Sequence, residues 1–298
     1  MFQKVSELKI GLLISGDLGK KVLDFCLDFV EPEFIATDKN SNEIIDLANR
    51  KGIRTFVGNP RGGRLVEFLG GEYFDIFLSI NYLFIIEKDV ISRAKYPVNF
   101  HGSLLPKYRG RTPHVWAIIN NENETGATAH IIEEGCDTGP ILMQRRIDIS
   151  KTMTGANVLD KFNLLYPKMV KQVLKDIISN NISMRNQDDS KATTFEKRTP
   201  EDGGIDWNWQ WERINNWVRA LARPYPGAFG FLNENKIIID KVTFCEMGYN
   251  SKMSNGQIIG MEKGKPIVKV SNGALILESI RNSKGLIFKV NEKFDDSY

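Results

Sequence analysis

Short apolar runs alternate with segments of helical periodicity through the first eighty residues. The apolar runs predict strands over residues 8–15, 34–37, 55–57 and 74–79. The periodic segments predict helices over residues 18–29, 41–50 and 64–69, and Gly52 is expected to end the second of them. A repeated strand–helix–strand order is typical of a parallel, doubly wound α/β sheet.

The middle of the chain continues the pattern with longer elements. Pro113 predicts the start of a helix that ends near residue 120, because proline suits a first helical turn. Residues 126–132 and 141–149 predict a hairpin-like pair of strands, and residues 154–178 predict a long helix that Pro167 should kink or break. Residues 180–196 are polar and lack periodicity, which indicates a linker or surface excursion.

The last hundred residues are rich in tryptophan and in short strands. A helix is predicted over residues 211–222, and Pro224 and Pro226 should end it. The short strands that follow are separated by turns at residues 233–235, 255–256, 263–264 and 272–273, which predicts a small β-barrel. We therefore expect two domains, residues 1–200 with an α/β core and residues 201–298 with a smaller, mostly β fold.

Composition excludes several classes of protein. With 42% hydrophobic and 26% charged residues, the 298-residue chain is typical of soluble globular proteins, and its net charge of +3 requires no polyanionic partner. The three cysteines form no CxxC pair, so neither a disulfide framework nor a zinc site is predicted. No stretch reads as a membrane span or signal peptide. We expect a cytoplasmic protein with no membrane and no nucleic-acid partner.

Polar side chains appear where a buried strand ends, in the run NFHGSLLPKYRG. Side chains alternate along a strand, so Asn99 and His101 should point the same way while Phe100 packs inside. Ligands of open α/β sheets bind at this end of the strands. A second loop, EEGCDTG, carries Asp137, whose carboxylate could return to His101 and set its tautomer and pKa.

Each of these features has a structural alternative. An isolated Asn or His at a strand end can simply form a turn, and Asp137 could cap one. The first strand–helix turn reads GDLG rather than GxGxxG, so no dinucleotide fingerprint is present. A metal cluster of His101, His130, Cys136 and Asp137 matches no familiar ligand spacing, so no metal is predicted.

NFHGSLLPKYRG followed by GCDTG resembles the signature of the 10-formyltetrahydrofolate-dependent formyltransferases. The resemblance implies a Rossmann-like catalytic core, an OB-like C-terminal domain and 10-formyltetrahydrofolate as co-substrate. It implies that Asn99 donates to an oxyanion, that His101 acts as base and acid, and that Asp137 raises the pKa of His101. The implied folate contacts are Leu83, Phe84, Ile85, Arg111, Glu133, Glu134, Gly135, Cys136 and Asp137.

The segment before the signature, NYLFIIEKDV, is apolar without alternation. It is either a buried connection or an apolar wall for a flat ring. In the family this position lines the pteridine pocket, largely through main-chain atoms, so the resemblance favours the wall.

Two acceptors compete within the resemblance, an amino sugar linked to dTDP or UDP and initiator tRNA. The run RALARPYPGAFGF resembles the domain that formylates UDP-4-amino-4-deoxy-L-arabinose. We favour the sugar, in bacterial lipopolysaccharide and O-antigen biosynthesis, with Ser103, Trp217, Arg223 and Tyr225 as candidate contacts. The identity of the sugar, its amine position and a homodimer remain open, as does a folate-binding module without catalysis.

Overall fold

The computed structural model describes residues 8–281 and 285–295. The strands are β1 (Ile10–Ile14), β2 (Phe34–Thr37), β3 (Arg54–Val57), β4 (Phe74–Ile80), β5 (Ala94–His101), β6 (Arg109–Gly110), β7 (Glu124–Ile131), β8 (Ile141–Asp148), β9 (Thr194–Phe195), β10 (Ala228–Leu232), β11 (Asn235–Cys245), β12 (Ile258–Glu262), β13 (Lys265–Val270) and β14 (Gly273–Arg281). The helices are α1 (Gly16–Cys26), α2 (Asn42–Lys51), α3 (Arg64–Leu69), α4 (Lys88–Ile91), α5 (Pro113–Ile119), α6 (Gly155–Ile178) and α7 (Trp211–Leu221).

The chain forms two compact units. The first comprises residues 1–110, 125–147 and 160–195, and the second comprises residues 111–124, 148–159 and 196–298. The ends of the two predicted domains, residues 1–7 and 296–298, lie outside the described residues. Within the described residues, no helix combines the length and apolarity that a membrane crossing needs.

The first unit is built on a seven-stranded sheet with the order β3-β2-β1-β4-β5-β7-β8. Strands β1 to β5 pair in parallel, as the sequence predicts. Strand β7 runs antiparallel to β5, so the sheet is mixed rather than wholly parallel. This reversal places His130 directly opposite Asn99, and it is the feature of the sheet that matters most for the site.

Aromatic side chains fill the core on one face of this sheet. Phe34 is fully buried and makes edge-to-face contacts with Phe74 and Phe77, whose ring centroids lie 5.1 and 5.6 Å away. Gly11 on the neighbouring strand leaves room for this ring, because a Cβ there would lie 2.2 Å from it. Aromatic pairs of this kind stabilise beyond the area they bury.

Two predictions about the middle of the chain, a break at Pro167 and a linker over residues 180–196, are corrected in part by the structure. Helix α6 runs without interruption through Pro167, so the proline does not break it. Buried apolar side chains before and after the proline, including Tyr166 and Val170, pack along its whole length and outweigh the lost hydrogen bond. Residues 180–196 lie mostly at the surface, as predicted for an excursion, but they are not a free linker. Arg185 pairs with Ile141, and strand β9 pairs in parallel with β6.

The second unit contains a five-stranded sheet with the order β10-β11-β14-β13-β12. Each adjacent pair is antiparallel. Trp207 is buried against Phe294, with ring centroids 4.7 Å apart. The predicted fold class, an α/β core and a smaller, mostly β part, is therefore confirmed.

Replacing Phe34 with Ala should destabilise the first unit. Loss of a fully buried aromatic side chain costs about 3–5 kcal/mol of unfolding free energy. Urea denaturation followed by circular dichroism measures the change. Tyr73→Ala is the matched control, because this ring is 57% exposed and surface changes usually stay within about 0.5 kcal/mol. Equal stability of the two variants would contradict the packing described.

Candidate active site

Asn99 and His130 form a cross-strand pair at the end of β5. The two residues face each other in the antiparallel register of β5 and β7, where opposed side chains are close. His130 Nδ1 lies 2.8 Å from the Ile131 carbonyl oxygen and donates to it, so Nε2 is the accepting nitrogen of the neutral ring. The Asn99 amide donates to this Nε2 across 3.1 Å. This contact fixes the orientation of the Asn99 amide. The Asn99 nitrogen carries a second N–H besides the one that points to His130.

His101, two residues further along β5, is buried and held between two acceptors. Its Nε2 lies 2.7 Å from the Tyr108 carbonyl oxygen and donates to it, which leaves Nδ1 as the basic nitrogen of the neutral ring. This Nδ1 lies 3.4 Å from Asp137 Oδ2. A protonated imidazole would have an acceptor on each nitrogen.

The two influences on the pKa of His101 oppose each other. Burial lowers it, because a charged ring loses its hydration, while the charge of Asp137 and the Tyr108 carbonyl raise it. Asp137 therefore acts in the predicted direction. Burial outweighs this contribution, so the pKa of His101 lies below its ordinary value.

The Asp137 carboxylate contacts His101, His130 and the Gly110 N–H. Its Oδ2 accepts from the Gly110 N–H at 2.9 Å, and its Oδ1 lies 3.5 Å from His130 Nε2. Burial would raise its pKa, but the charges that His101 and His130 carry when protonated, together with the hydrogen bond from Gly110, hold that pKa far below its ordinary range. Its backbone has a φ of 55°, a strained conformation for a residue other than glycine and one often stored at functional sites.

The loop that follows His101 is fastened from inside. The Ser103 hydroxyl is fully buried and donates to the Lys107 carbonyl across 2.6 Å. The Thr128 hydroxyl donates to the Ser103 carbonyl and accepts from the Leu105 N–H. Gly110 ends the loop with a φ of 97°, and a Cβ there would lie 2.2 Å from the Phe195 carbonyl oxygen. Ser103, predicted to contact substrate, is thus committed to holding the loop.

The segments predicted to bind folate lie in the same unit as His101. Leu83 and Ile85 are 43% and 65% exposed, so they are not part of a buried connection. Lys88 follows them and pairs with Glu134 across 2.6 Å. This exposed ion pair joins the apolar segment to the Glu133–Cys136 stretch of the Asp137 loop, and Cys136 Sγ lies 3.6 Å from Asp137 Oδ2. Phe84 packs more deeply, its ring centroid 5.4 Å from that of Tyr82.

The remaining predicted residues belong to the second unit. Tyr225 donates to or accepts from His114 Nε2 across 2.5 Å, and burial raises its pKa to about 12. Trp217 donates to the Gly203 carbonyl and lies under the Arg198 guanidinium, 4.3 Å from ring centroid to cation. Arg111 and Arg223 are exposed. Among the described residues, no group of three or more His, Cys, Asp or Glu is placed to hold a metal ion.

Sequence reasoning missed two members of the site. The spacing of the sequence indicates His130 only as a possible metal ligand, although it lies in the predicted strand directly before the Asp137 loop. Gln187 donates to the carbonyls of Asp137 and Gly139 across 2.7 and 2.8 Å. No local sequence pattern indicates a role for Gln187, because it lies in the polar segment 180–196, whose composition indicates a linker or surface excursion.

The opposing influences on His101 can be measured by titration. We expect its imidazole to titrate below the ordinary pKa of 6.5, and Asp137→Asn to lower that pKa further, because the raising charge is removed. NMR titration of the ring protons measures both values, and His101→Gln assigns the signal among three histidines. A pKa that rises in Asp137→Asn would show that the carboxylate does not stabilise the imidazolium.

Comparison with known proteins places the chain. The formyl transferase family model matches residues 65–174, and the model of the formyl transferase C-terminal domain matches residues 197–295. The methionyl-tRNA formyltransferase of Ruminiclostridium cellulolyticum is 32% identical over 219 residues, which cover 73% of this chain and 70% of that protein.

Two solved structures share the fold. A sugar 3N-formyl transferase, crystallised with dTDP and 5-N-formyl-THF, has a TM-score of 0.68 and 22% identity over 92% of this chain and 98% of its own. The N-formyltransferase from Helicobacter canadensis, in complex with folinic acid and dTDP-3-aminofucose, has a TM-score of 0.69 and 21% identity over 92% of this chain and 100% of its own. With matches to both domain models and a relative of this identity, the protein belongs to the formyl transferase family and is a 10-formyltetrahydrofolate-dependent formyltransferase.

Proposed function

We propose that this protein transfers the formyl group of 10-formyltetrahydrofolate to the primary amine of an amino deoxysugar linked to dTDP or UDP. The proximity of Asn99, His101 and Asp137 at the end of β5 carries the reaction. The charge of the C-terminal part carries the choice of acceptor. Synthesis of a bacterial surface polysaccharide such as an O-antigen is the setting we infer for such a product.

Asn99 stabilises the tetrahedral intermediate in this proposal. The neutral amine attacks the formyl carbon, a C–N bond forms, and the carbonyl electrons move to oxygen. The Asn99 amide gives one N–H to His130, and we assign its second N–H to the developing oxyanion. Loss of one such donor typically raises the barrier by about 2.7–4 kcal/mol. His130 thus orients the donor before any charge appears.

His101 moves the proton. The attacking nitrogen loses a proton to the basic Nδ1, and N10 of the folate takes one up as its bond to the formyl carbon breaks. A low pKa keeps His101 neutral and ready to accept. Once protonated, its two N–H groups face Asp137 and the Tyr108 carbonyl. The pair therefore stabilises the charge at the moment when it forms.

We infer that the folate binds within the first unit. A pteridine is flat and apolar on its faces, with hydrogen-bonding groups along its edge. Leu83 and Ile85 expose apolar side chains, and the Glu133–Cys136 stretch with Asp137 supplies polar groups. Lys88 and Glu134 bring these two segments to within 2.6 Å of each other at one exposed ion pair. We propose that they bind the co-substrate, with Arg111 as a further contact.

The charge of residues 201–298 favours the sugar over initiator tRNA. This part holds 13 Lys and Arg against 12 Asp and Glu, a net charge of +1. Proteins that bind nucleic acid neutralise several phosphates with a basic surface. A nucleotide-linked sugar needs far fewer cations, and Trp217, Arg223 and Tyr225 are the side chains that we propose for it. The likeness to solved sugar formyltransferases agrees with this choice, whereas the methionyl-tRNA formyltransferase relative favours tRNA as the second candidate.

We also propose a division of labour along the chain. Residues 1–200 would form the catalytic domain and residues 201–298 an OB-like domain that assists the acceptor. The match of the C-terminal family model to residues 197–295 is consistent with a boundary near residue 200.

Single substitutions test the two catalytic roles. We expect Asn99→Ala to lower kcat about 100- to 1,000-fold, and His101→Ala to lower it about 100- to 10,000-fold. Both should bind 10-formyltetrahydrofolate nearly as tightly as the wild type. Lys95→Ala is the matched control, because Lys95 is an exposed residue of the same strand, and it should keep full activity. Wild-type turnover by His101→Ala would remove the proposed base.

The acceptor is tested by turnover with a panel of amines. The protein is incubated with 10-formyltetrahydrofolate and each of several dTDP- and UDP-linked 3-amino and 4-amino sugars, or with methionyl-charged initiator tRNA. We expect formylation of one sugar nucleotide and none of the tRNA. Formylation of the tRNA alone would overturn the acceptor while leaving the catalytic roles intact.

A further inference from the structure

One amide side chain lies between the signature loop and the Asp137 loop. Gln187 is half-buried, whereas residues 183–186 and 188–190 around it are exposed. Its Nε2 donates to the carbonyls of Asp137 and Gly139 across 2.7 and 2.8 Å. Its Oε1 accepts from Arg109 Nη2 across 2.8 Å. All three partner residues of this one side chain lie in segments that carry the site.

Only an amide can make this set of contacts. Two carbonyl oxygens require two N–H donors, and a guanidinium requires an acceptor, and the Gln side chain supplies both kinds of group. Arg109 is buried and also pairs with Asp189 across 2.6 Å. Gln187 therefore connects a buried cation to the backbone on both sides of Thr138.

The segment that carries Gln187 is itself anchored on either side. Arg185 pairs with Ile141 through the backbone. Beyond Gln187, the Thr193 hydroxyl accepts from the Tyr108 N–H across 2.8 Å, and Phe195 stacks on the Tyr108 ring at 5.1 Å and 12°. The carbonyl of the same Tyr108 accepts from His101. The position of the Gln187 amide is thus set by contacts before and after it.

We propose that Gln187 is a positioning residue for the formyl transfer, which fixes the Asp137 loop so that the carboxylate faces His101. The proposal rests on the catalytic roles proposed above for His101 and Asp137. Asp137 holds a left-handed backbone with a φ of 55°. This conformation costs free energy, and it persists only where neighbouring contacts offset that cost. The Gln187 amide donates hydrogen bonds to the carbonyl of Asp137 itself and to that of Gly139, two residues later. Without these two hydrogen bonds, the loop can relax and the Asp137 carboxylate can move away from His101.

Three variants separate this role from a general loss of structure. Gln187→Leu removes both donors and the acceptor at similar volume. Gln187→Glu keeps an acceptor for Arg109 but has no N–H for the two carbonyls. Asp189→Ala is the matched control, because it removes the second partner of Arg109 on the same segment and leaves the Asp137 loop untouched. Thermal melts confirm that each variant is folded before kinetics are compared.

We expect Gln187→Leu and Gln187→Glu each to lower kcat about 10- to 100-fold, the size of effect that a small misplacement of a catalytic group produces. KM for 10-formyltetrahydrofolate should change less than kcat. In Gln187→Leu the acid limb of the kcat–pH profile should shift to lower pH, because His101 loses part of the charge that raises its pKa. Asp189→Ala should keep wild-type kcat and the wild-type limb.

The outcomes distinguish this inference from the catalytic assignment. If Asp137→Asn lowers kcat strongly while folded Gln187→Leu behaves as the wild type, Gln187 does not position the loop and only this inference fails. If Gln187→Glu keeps wild-type kcat, the contact with Arg109 rather than the hydrogen bonds to the carbonyls matters, and the inference also fails. If Asp137→Asn itself is fully active, the catalytic assignment fails first.

Discussion

The approach of one carboxylate to one buried imidazole is the interaction on which the site depends. His101 is buried, which makes its charged form costly. Asp137, 3.4 Å from Nδ1, offsets that cost. A neutral base that can accept a proton and then be stabilised as a cation needs both influences. Neither burial nor the carboxylate alone would provide a base suited to deprotonating an attacking amine.

The rest of the first unit serves this pair. The antiparallel insertion of β7 beside β5 sets His130 opposite Asn99, which orients the amide. The loop after His101 is closed by Ser103 and Thr128 and ends at Gly110, whose N–H reaches Asp137. In the segment before β9, Gln187 donates to the carbonyls of Asp137 and Gly139 and so fastens the Asp137 loop. The geometry of the site thus depends on backbone carbonyls and amides that side chains hold, several of them from distant parts of the sequence.

The sequence was a good guide wherever local pattern decides the structure. The bounds of β2 and α3 agree residue for residue with the apolar pattern, and Gly52 ends α2 in the left-handed conformation. Strand alternation correctly placed Asn99 and His101 at the end of β5.

Contacts with distant segments could not be predicted from the local pattern. The antiparallel direction of β7, the continuity of α6 through Pro167 and the pairing of residues 180–196 all depend on tertiary contacts. Gln187 was missed for the same reason, because its partners are distant in sequence. The effect of Asp137 on the pKa of His101 follows the prediction, whereas the larger, opposite effect of burial depends on tertiary packing.

The most direct test of this account is the pH dependence of the single-turnover rate constant for the wild type and Asp137→Asn, measured with enzyme in excess at saturating concentration. The account predicts a rate constant at least about 100-fold lower in Asp137→Asn, with its acid limb moved to lower pH. The acceptor amine is common to both proteins, so the difference reports on His101. An Asp137→Asn variant with an unchanged rate and an unchanged limb would contradict the central role of the His101–Asp137 pair.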